Sequence, residues 1–307
     1  VGRSAGLSVT TGIQNVLIGG LAGDALTDAD QNTVVGFNAL SSDTKGSQSV
    51  AIGQGALFSQ NFATSFDCNN VAVGHNAGVL STTGVENTLI GAFAGDALTD
   101  ADYNTAVGTN ALSSDTLGSK SVALGRSALA VQNFTTATDS HNTAVGYQAG
   151  KAVTTGVQNT FVGGLAGDGT DDGDANVAVG YATLSANCGD NNTAVGAGAM
   201  TGATGSDNTF MGRSAGLALT AGIKNTAVGA FALDRETSGS FTTAVGYQAL
   251  TNQIIPNGSV HNTAVGYNAA VSVSTGTQNT IIGSQAGDAI TDADYNTVLG
   301  YSALGSD

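Results

Sequence analysis

The amino-acid sequence predicts an all-β fold, a parallel β-solenoid with about 17 residues per coil. Three observations carry this expectation. A glycine that follows an apolar residue recurs from Gly2 to Gly300, 18 times in all, mostly at 17-residue steps with extremes of 16 and 21. The positions around that glycine hold fixed residue types. A longer rhythm overlies the first: "AGDALTDAD" at 22–30 returns at 94–102, 72 residues or four coils later, and again as "AGDAITDAD" at 286–294. Self-similarity at a fixed short period marks units that bury their apolar faces only by stacking. Seventeen residues are too few for a helix–turn–helix repeat or a propeller blade. The coils fill residues 1–307 with no visible domain boundary. Because the chain opens and stops within a repeat, we read it as one repetitive segment of a longer fibre polypeptide.

Each element of the coil has its own local reason. The strand comes first. In the 17 coils that carry residues before the glycine, both preceding positions are always apolar; the third is Thr in 12 and Val in 5. Alternate strand residues point to opposite faces, so Thr143 and Val145 share one face and Ala144 takes the other. A strand that is apolar or nearly so on both faces is buried on both. One face fills the coil and the other needs a partner, most simply another chain. On this reading a charge at Ala144 or Ala227 blocks assembly. The glycine permits a tight corner. Three residues later stands Ala in 17 of 18 coils, as suits a crowded second wall. Four residues before the glycine stands Asn in 14 of 17 coils, with Ser49, Ser121 and Thr242 as the exceptions. Asn can bond its own backbone at a turn, and stacked Asn side chains can form a ladder. "TTG" at 82–84 and 154–156 marks the outer turn.

A triangular helix of three hexads would place an apolar residue six after the strand Val. That position holds Asp24, Ser41, Asp96, Lys151, Asp168 and Asp234, so the hexad pattern fails.

Composition excludes several classes of function. The chain has 8 basic and 23 acidic residues, a net charge of −15. Nucleic-acid binding needs clustered Lys and Arg, and anionic membrane surfaces attract the same residues. No apolar run approaches the ~20 residues of a membrane-spanning helix, so no membrane insertion is expected. The 41% of apolar residues recur in register, which excludes a disordered chain.

The motif Asn-(Thr/Val)-(Ala/Val)-(Val/Ile)-Gly-x-x-Ala resembles the head repeats of YadA-type trimeric autotransporter adhesins. "NTAVGYQAG" at 142–150, "NTAVGAGAM" at 192–200 and "TTAVGYQAL" at 242–250 resemble still more closely the repeats of phage tail-fibre proteins. The likeness extends over essentially the whole chain. It implies a left-handed parallel β-roll, three chains about a common axis as a homotrimer, and a role in attachment. It departs from adhesin heads in period, since those use shorter coils. It leaves a phage fibre and a bacterial surface fibre equally open, and implies an extracellular location, on a cell surface or a virion.

No catalytic constellation stands out, and the chain is not expected to be an enzyme. The three histidines, His75, His141 and His261, lie in different coils, and the only glutamates are Glu86 and Glu236. Cys68 and Cys188 lie seven coils apart, far beyond the ~7 Å that a disulfide spans. Two groups remain as candidate sites. The Asp-rich turns gather hard oxygen ligands suited to Ca²⁺ at Asp24, Asp28 and Asp30, at Asp96, Asp100 and Asp102, and at Asp288, Asp292 and Asp294. The alternative is a solvated acidic corner, and no other cofactor is expected. Three coils also carry long turns, at 58–69, 130–141 and 251–261. They hold Phe62, Phe66, Phe134, Ile254 and Ile255, which either tuck under the turn or meet a receptor, a glycan among the possibilities. The expected function is a structural shaft or head of a trimeric fibre. The competing class is a monomeric solenoid that binds ice or glycan through its Thr column or its long turns.

Overall fold

The computed structural model describes residues 1–305. Its contacts divide the chain into two compact units, Val1–Gln158 and Asn159–Asp307. Each unit is a parallel β-solenoid, and no helix occurs among the described residues, so none is long and apolar enough to cross a membrane.

In the first unit eight three-residue strands, from Val16–Ile18 to Thr143–Val145, stack in parallel. In the second, nine such strands run from Thr160–Val162 to Thr297–Leu299. The register is uniform within each unit: Thr105, Ala106 and Val107 pair with Val122, Ala123 and Leu124, and Thr226, Ala227 and Val228 with Thr243, Ala244 and Val245. Short strands suffice because the turns are bonded from coil to coil as well. The Gly23 amide donates to the Ala39 carbonyl (3.0 Å), and that of Thr27 to Thr44 (2.9 Å). Backbone groups outside the strands therefore find partners one coil on.

The core is narrow. Ala51, Ala72, Ala106 and Ala123 at strand centres, Ala56, Ala77, Ala111 and Ala128 on the second wall, and Leu57, Leu112 and Leu129 beyond them are all fully buried. The strand-centre residue turns inward, most often alanine but also Val34, Leu89, Phe161 and Phe210, while Thr105, Val107, Thr143 and Val145 are only half-buried. This corrects the expectation for Ala144 and Ala227. Both lie at 0% exposure inside their own coil. A charge there breaks the coil itself, and the face left half-buried is the Thr/Val face.

The corner after each strand is a hydrogen-bonded turn. Ala111 N–H donates to Gly108 O (3.2 Å), and Asn110, two after the glycine, has φ 56°. This is the pattern of a type II turn, which favours Asn or Gly at that place. Gly108 itself has φ +135°, and a Cβ there would lie 2.6 Å from the carbonyl carbon and oxygen of Gly125 in the next coil. The same backbone-to-backbone approach recurs at Gly91 in the first unit and Gly212 in the second, and only glycine allows it.

The Asn column is a buried ladder. Asn104 N–H donates to Asn87 Oδ1 (2.9 Å), Asn104 Nδ2 donates to Gly118 O (2.9 Å), and Ser121 N–H donates to Asn104 Oδ1 (2.9 Å). Each side chain thus satisfies one backbone donor and one backbone acceptor inside the coil. The same pattern recurs in the second unit at Asn208 and Asn225.

Candidate functional site

The three long turns begin where the Asn ladder is broken. Ser49, Ser121 and Thr242 replace Asn, and each is followed 11 residues later by a glutamine: Gln60, Gln132 or Gln253. The glutamine reaches into the coil and supplies the missing amide. Gln132 Nε2 donates to Ser121 Oγ (2.8 Å) and to Asp115 Oδ2 (2.6 Å), and its Oε1 accepts from Asn142 Nδ2 (2.9 Å). Asp115 Oδ1 also accepts from the amides of Gly118 and Phe134 (3.0 Å each). The first turn repeats this with Asp43, Gln60, Ser49 and Asn70. The third uses Glu236, Gln253, Thr242 and Asn262. Asp43, Asp115 and Glu236 are fully buried. Sequence reasoning missed these residues. The signal was present in the coincidence of the three Asn exceptions, the three long steps and the fixed spacing to Gln.

The apolar residues of the turns divide. Phe62 and Phe134 are tucked under, at 8% and 6% exposure, and their amides cap Asp43 and Asp115. Ile255 occupies the equivalent place and is half-buried, its amide directed at Glu236 (3.3 Å). Phe66 and Ile254 stay exposed, at 48% and 38%. The Phe66 ring stacks on Phe62 with centroids 5.5 Å apart and planes 4° apart.

Among the described residues no three His, Cys, Asp or Glu side chains converge in a metal-binding arrangement. Several carboxylates of the Asp-rich turns accept from the neighbouring coil instead. Asp28 Oδ1 accepts from Thr11 Oγ1 (2.7 Å) and Oδ2 from Ser65 Oγ (3.2 Å). The Thr11 bond, then the Ser65 bond, with a further contribution from the charge of Lys45, hold the Asp28 carboxyl below its usual range against a small opposing effect of burial. Asp30 Oδ1 accepts from the Ile13 amide (2.7 Å). In the second copy Thr83 bonds Asp100, and the Val85 amide bonds Asp102 (2.8 Å). In the last copy Asp292 accepts from Thr291 Oγ1 (3.2 Å), Asp294 accepts from the amide and hydroxyl of Thr277 (2.7 and 3.0 Å), and Asp288 is half-buried. Asp24 and Asp96 stand apart from their neighbours, each with a buried Oδ1 that has no hydrogen-bond partner. Burial raises the Asp96 carboxyl.

The structure does bring two separately predicted features together. The Asp-rich turn at Asp28 and Asp30 and the first long turn at Ser65, Phe66 and Asp67 face each other, with Ser47, across an open cleft of about 440 Å³. It gathers carboxylates and hydroxyls with the exposed Phe66.

The remaining reactive groups are quiet. His261 stacks on Phe241 at 5.2 Å, and His75 meets Phe93 edge-on at 5.1 Å. Cys68 and Cys188 are free and buried. Burial, then the Asp43 charge, pushes the Cys68 thiol up to about 12, and burial likewise raises Cys188. No family model matches the chain, and neither a curated protein nor a solved structure matches it.

Proposed function

We propose that the chain is a structural, non-enzymatic segment, the shaft or head of a homotrimeric extracellular fibre that attaches a virion or a cell to a surface. The observation that carries this reading is the outer face of the strands. In the first unit Ile18, Ile52 and Ile90 stand exposed along it, and in the second Val162, Met211 and Ile282. A continuous apolar stripe of this kind on a rigid scaffold marks an interaction face. Other copies of the chain are the natural occupants, because like coils carry like stripes at the same spacing and homo-oligomers close by symmetry. The exposed residues of the long turns and the cleft beside Asp28 lie on other parts of the coil and remain available to a receptor.

Sedimentation at micromolar concentration tests the reading. A particle of three times the 30.0 kDa chain mass is expected, and Val145→Lys should yield folded monomers. A stable wild-type monomer would overturn it. That result would favour the second reading, a monomeric binder that presents the half-buried Thr column (Thr105, Thr143, Thr193) to ice or glycan.

A further inference from the structure

The two copies of the four-coil block in the first unit differ where a cation sits. In the second copy Lys120 Nζ lies 2.5 Å from Asp139 Oδ2, an ion pair. Seventy-two residues earlier, Gln48 stands in place of Lys120, Asp67 in place of Asp139 and Phe66 in place of Thr138. The backbone frame is the same in both. Phe66 and Asp67 pair with Gly46 and Ser47 as Thr138 and Asp139 pair with Gly118 and Ser119. Gln48 (φ 61°) donates its amide to Asp30 O, and Lys120 (φ 62°) donates to Asp102 O, each at 3.0 Å.

The first copy therefore keeps the carboxylate of the pair and lacks its cation. Asp67 is exposed and its carboxylate makes no hydrogen bond among the described residues. Lys45 acts on the charge of Asp28 but forms no ion pair. Where the second copy has Thr138, the first adds an aromatic ring fixed on one face by Phe62 and open on its surroundings. These groups line the cleft that also holds Asp28 and Asp30.

We propose that this cleft binds a guanidinium cation presented from outside, its charge set against Asp67 as the Lys120 ammonium is set against Asp139, and its plane against Phe66. In the internal copy the same backbone frame holds the chain's own Lys120 ammonium on the equivalent carboxylate, Asp139. The aromatic ring selects the kind of cation: a guanidinium is planar, weakly hydrated, stacks on aromatic faces and forks onto carboxylates, whereas an ammonium is a compact, strongly hydrated point charge. The net charge of −15 draws cations toward the chain. This deepens the attachment reading by naming the contacted group, and rests on it for the source, an arginine side chain on a surface protein.

The test is a titration of the whole chain with Nα-acetylarginine amide at fixed ionic strength, followed by amide chemical shifts. The neutral citrulline analogue and Nα-acetyllysine amide serve as comparisons. Saturable shifts are expected at Phe66 and Asp67, and none at Thr138 and Asp139. Affinity should fall more than tenfold in Asp67→Asn and in Gln48→Lys, and several-fold in Phe66→Thr. Gln48→Lys installs the residue that the second copy already carries in the same frame, so folding is preserved, and its circular dichroism should match the wild type. An equal response to citrulline or lysine amide overturns the proposal, as does binding that survives both Asp67→Asn and Gln48→Lys. The titration needs neither receptor nor trimer. A monomeric particle that still binds arginine amide sinks the fibre reading alone, and a trimer that ignores arginine amide sinks this proposal alone.

Discussion

Replacing Gln132 by leucine keeps the volume of a fully buried side chain and removes three hydrogen bonds. The bond to the Asp115 carboxylate contributes ~2 kcal/mol, and the two neutral bonds ~1 kcal/mol each because Ser121 Oγ and Asn142 Nδ2 lose their Gln132 contact in a dry interior. Asp115 itself keeps the amides of Gly118 and Phe134. The expected loss is therefore ~4 kcal/mol, or roughly a thousandfold in the opening equilibrium of that region. Solenoid coils interact mainly with their neighbours, so the damage should be local. Native-state hydrogen exchange reads it directly. Protection of the Gly118 and Phe134 amides should fall about a thousandfold, while the Thr33 amide, bonded to Ser49 O several coils away, should be unchanged. A fall of less than tenfold at Gly118 and Phe134, or an equal fall at Thr33, would refute the view that glutamine substitutes for the missing ladder asparagine.

Asp96→Asn should stabilise the protein at pH 7. Burial raises the folded carboxyl above its unfolded value, so its contribution is fully present below the unfolded pKa and is lost as pH rises through the folded one. The gain should be under ~1 kcal/mol because the group remains partly solvated, and denaturant melts at pH 4 and pH 7 should show it only at the higher pH. Iodoacetamide at pH 8 should leave Cys68 and Cys188 unmodified in the native chain and label both in denaturant, since burial disfavours each thiolate; native labelling read by mass spectrometry would contradict this. Deleting residues 91–107 rejoins Ile90 to Gly108 with every column in place, whereas deleting eight residues puts turn residues into the strand column. The first variant should melt within a few degrees of the wild type and the second should not fold, and equal damage from both would argue against stacked coils.

The coil itself was legible in the sequence because each column is filled by a residue that one local constraint demands. Gly108 must be glycine to meet Gly125, and Asn104 must bridge two coils. Which strand face turns inward was not legible, because both faces are apolar; the strand-centre residue is the buried one whether it is Ala106, Leu89, Phe161 or Phe210, and the residues on either side of it are half-buried or exposed. The cleft was half legible. Asp28, Asp30 and Phe66 were each visible as candidates, but their meeting depends on how the long turn folds back, which Asp43 and Gln60 fix from inside. A buried carboxylate surrounded by Ser, Asn and Gly reads in sequence as one more polar turn residue.

The buried carboxylate–glutamine assembly also constrains how such a gene can lengthen. Its members Asp43, Ser49, Gln60 and Asn70 extend over successive coils. Unequal recombination with a breakpoint between residues 43 and 70 would separate the carboxylate from its donors and encode a chain with an orphaned buried charge. A breakpoint outside that interval transmits the assembly whole. A single coil is thus the structural unit, but the heritable unit near a long turn is larger, and the 72-residue step from Asp43 to Asp115 is an increment of that kind.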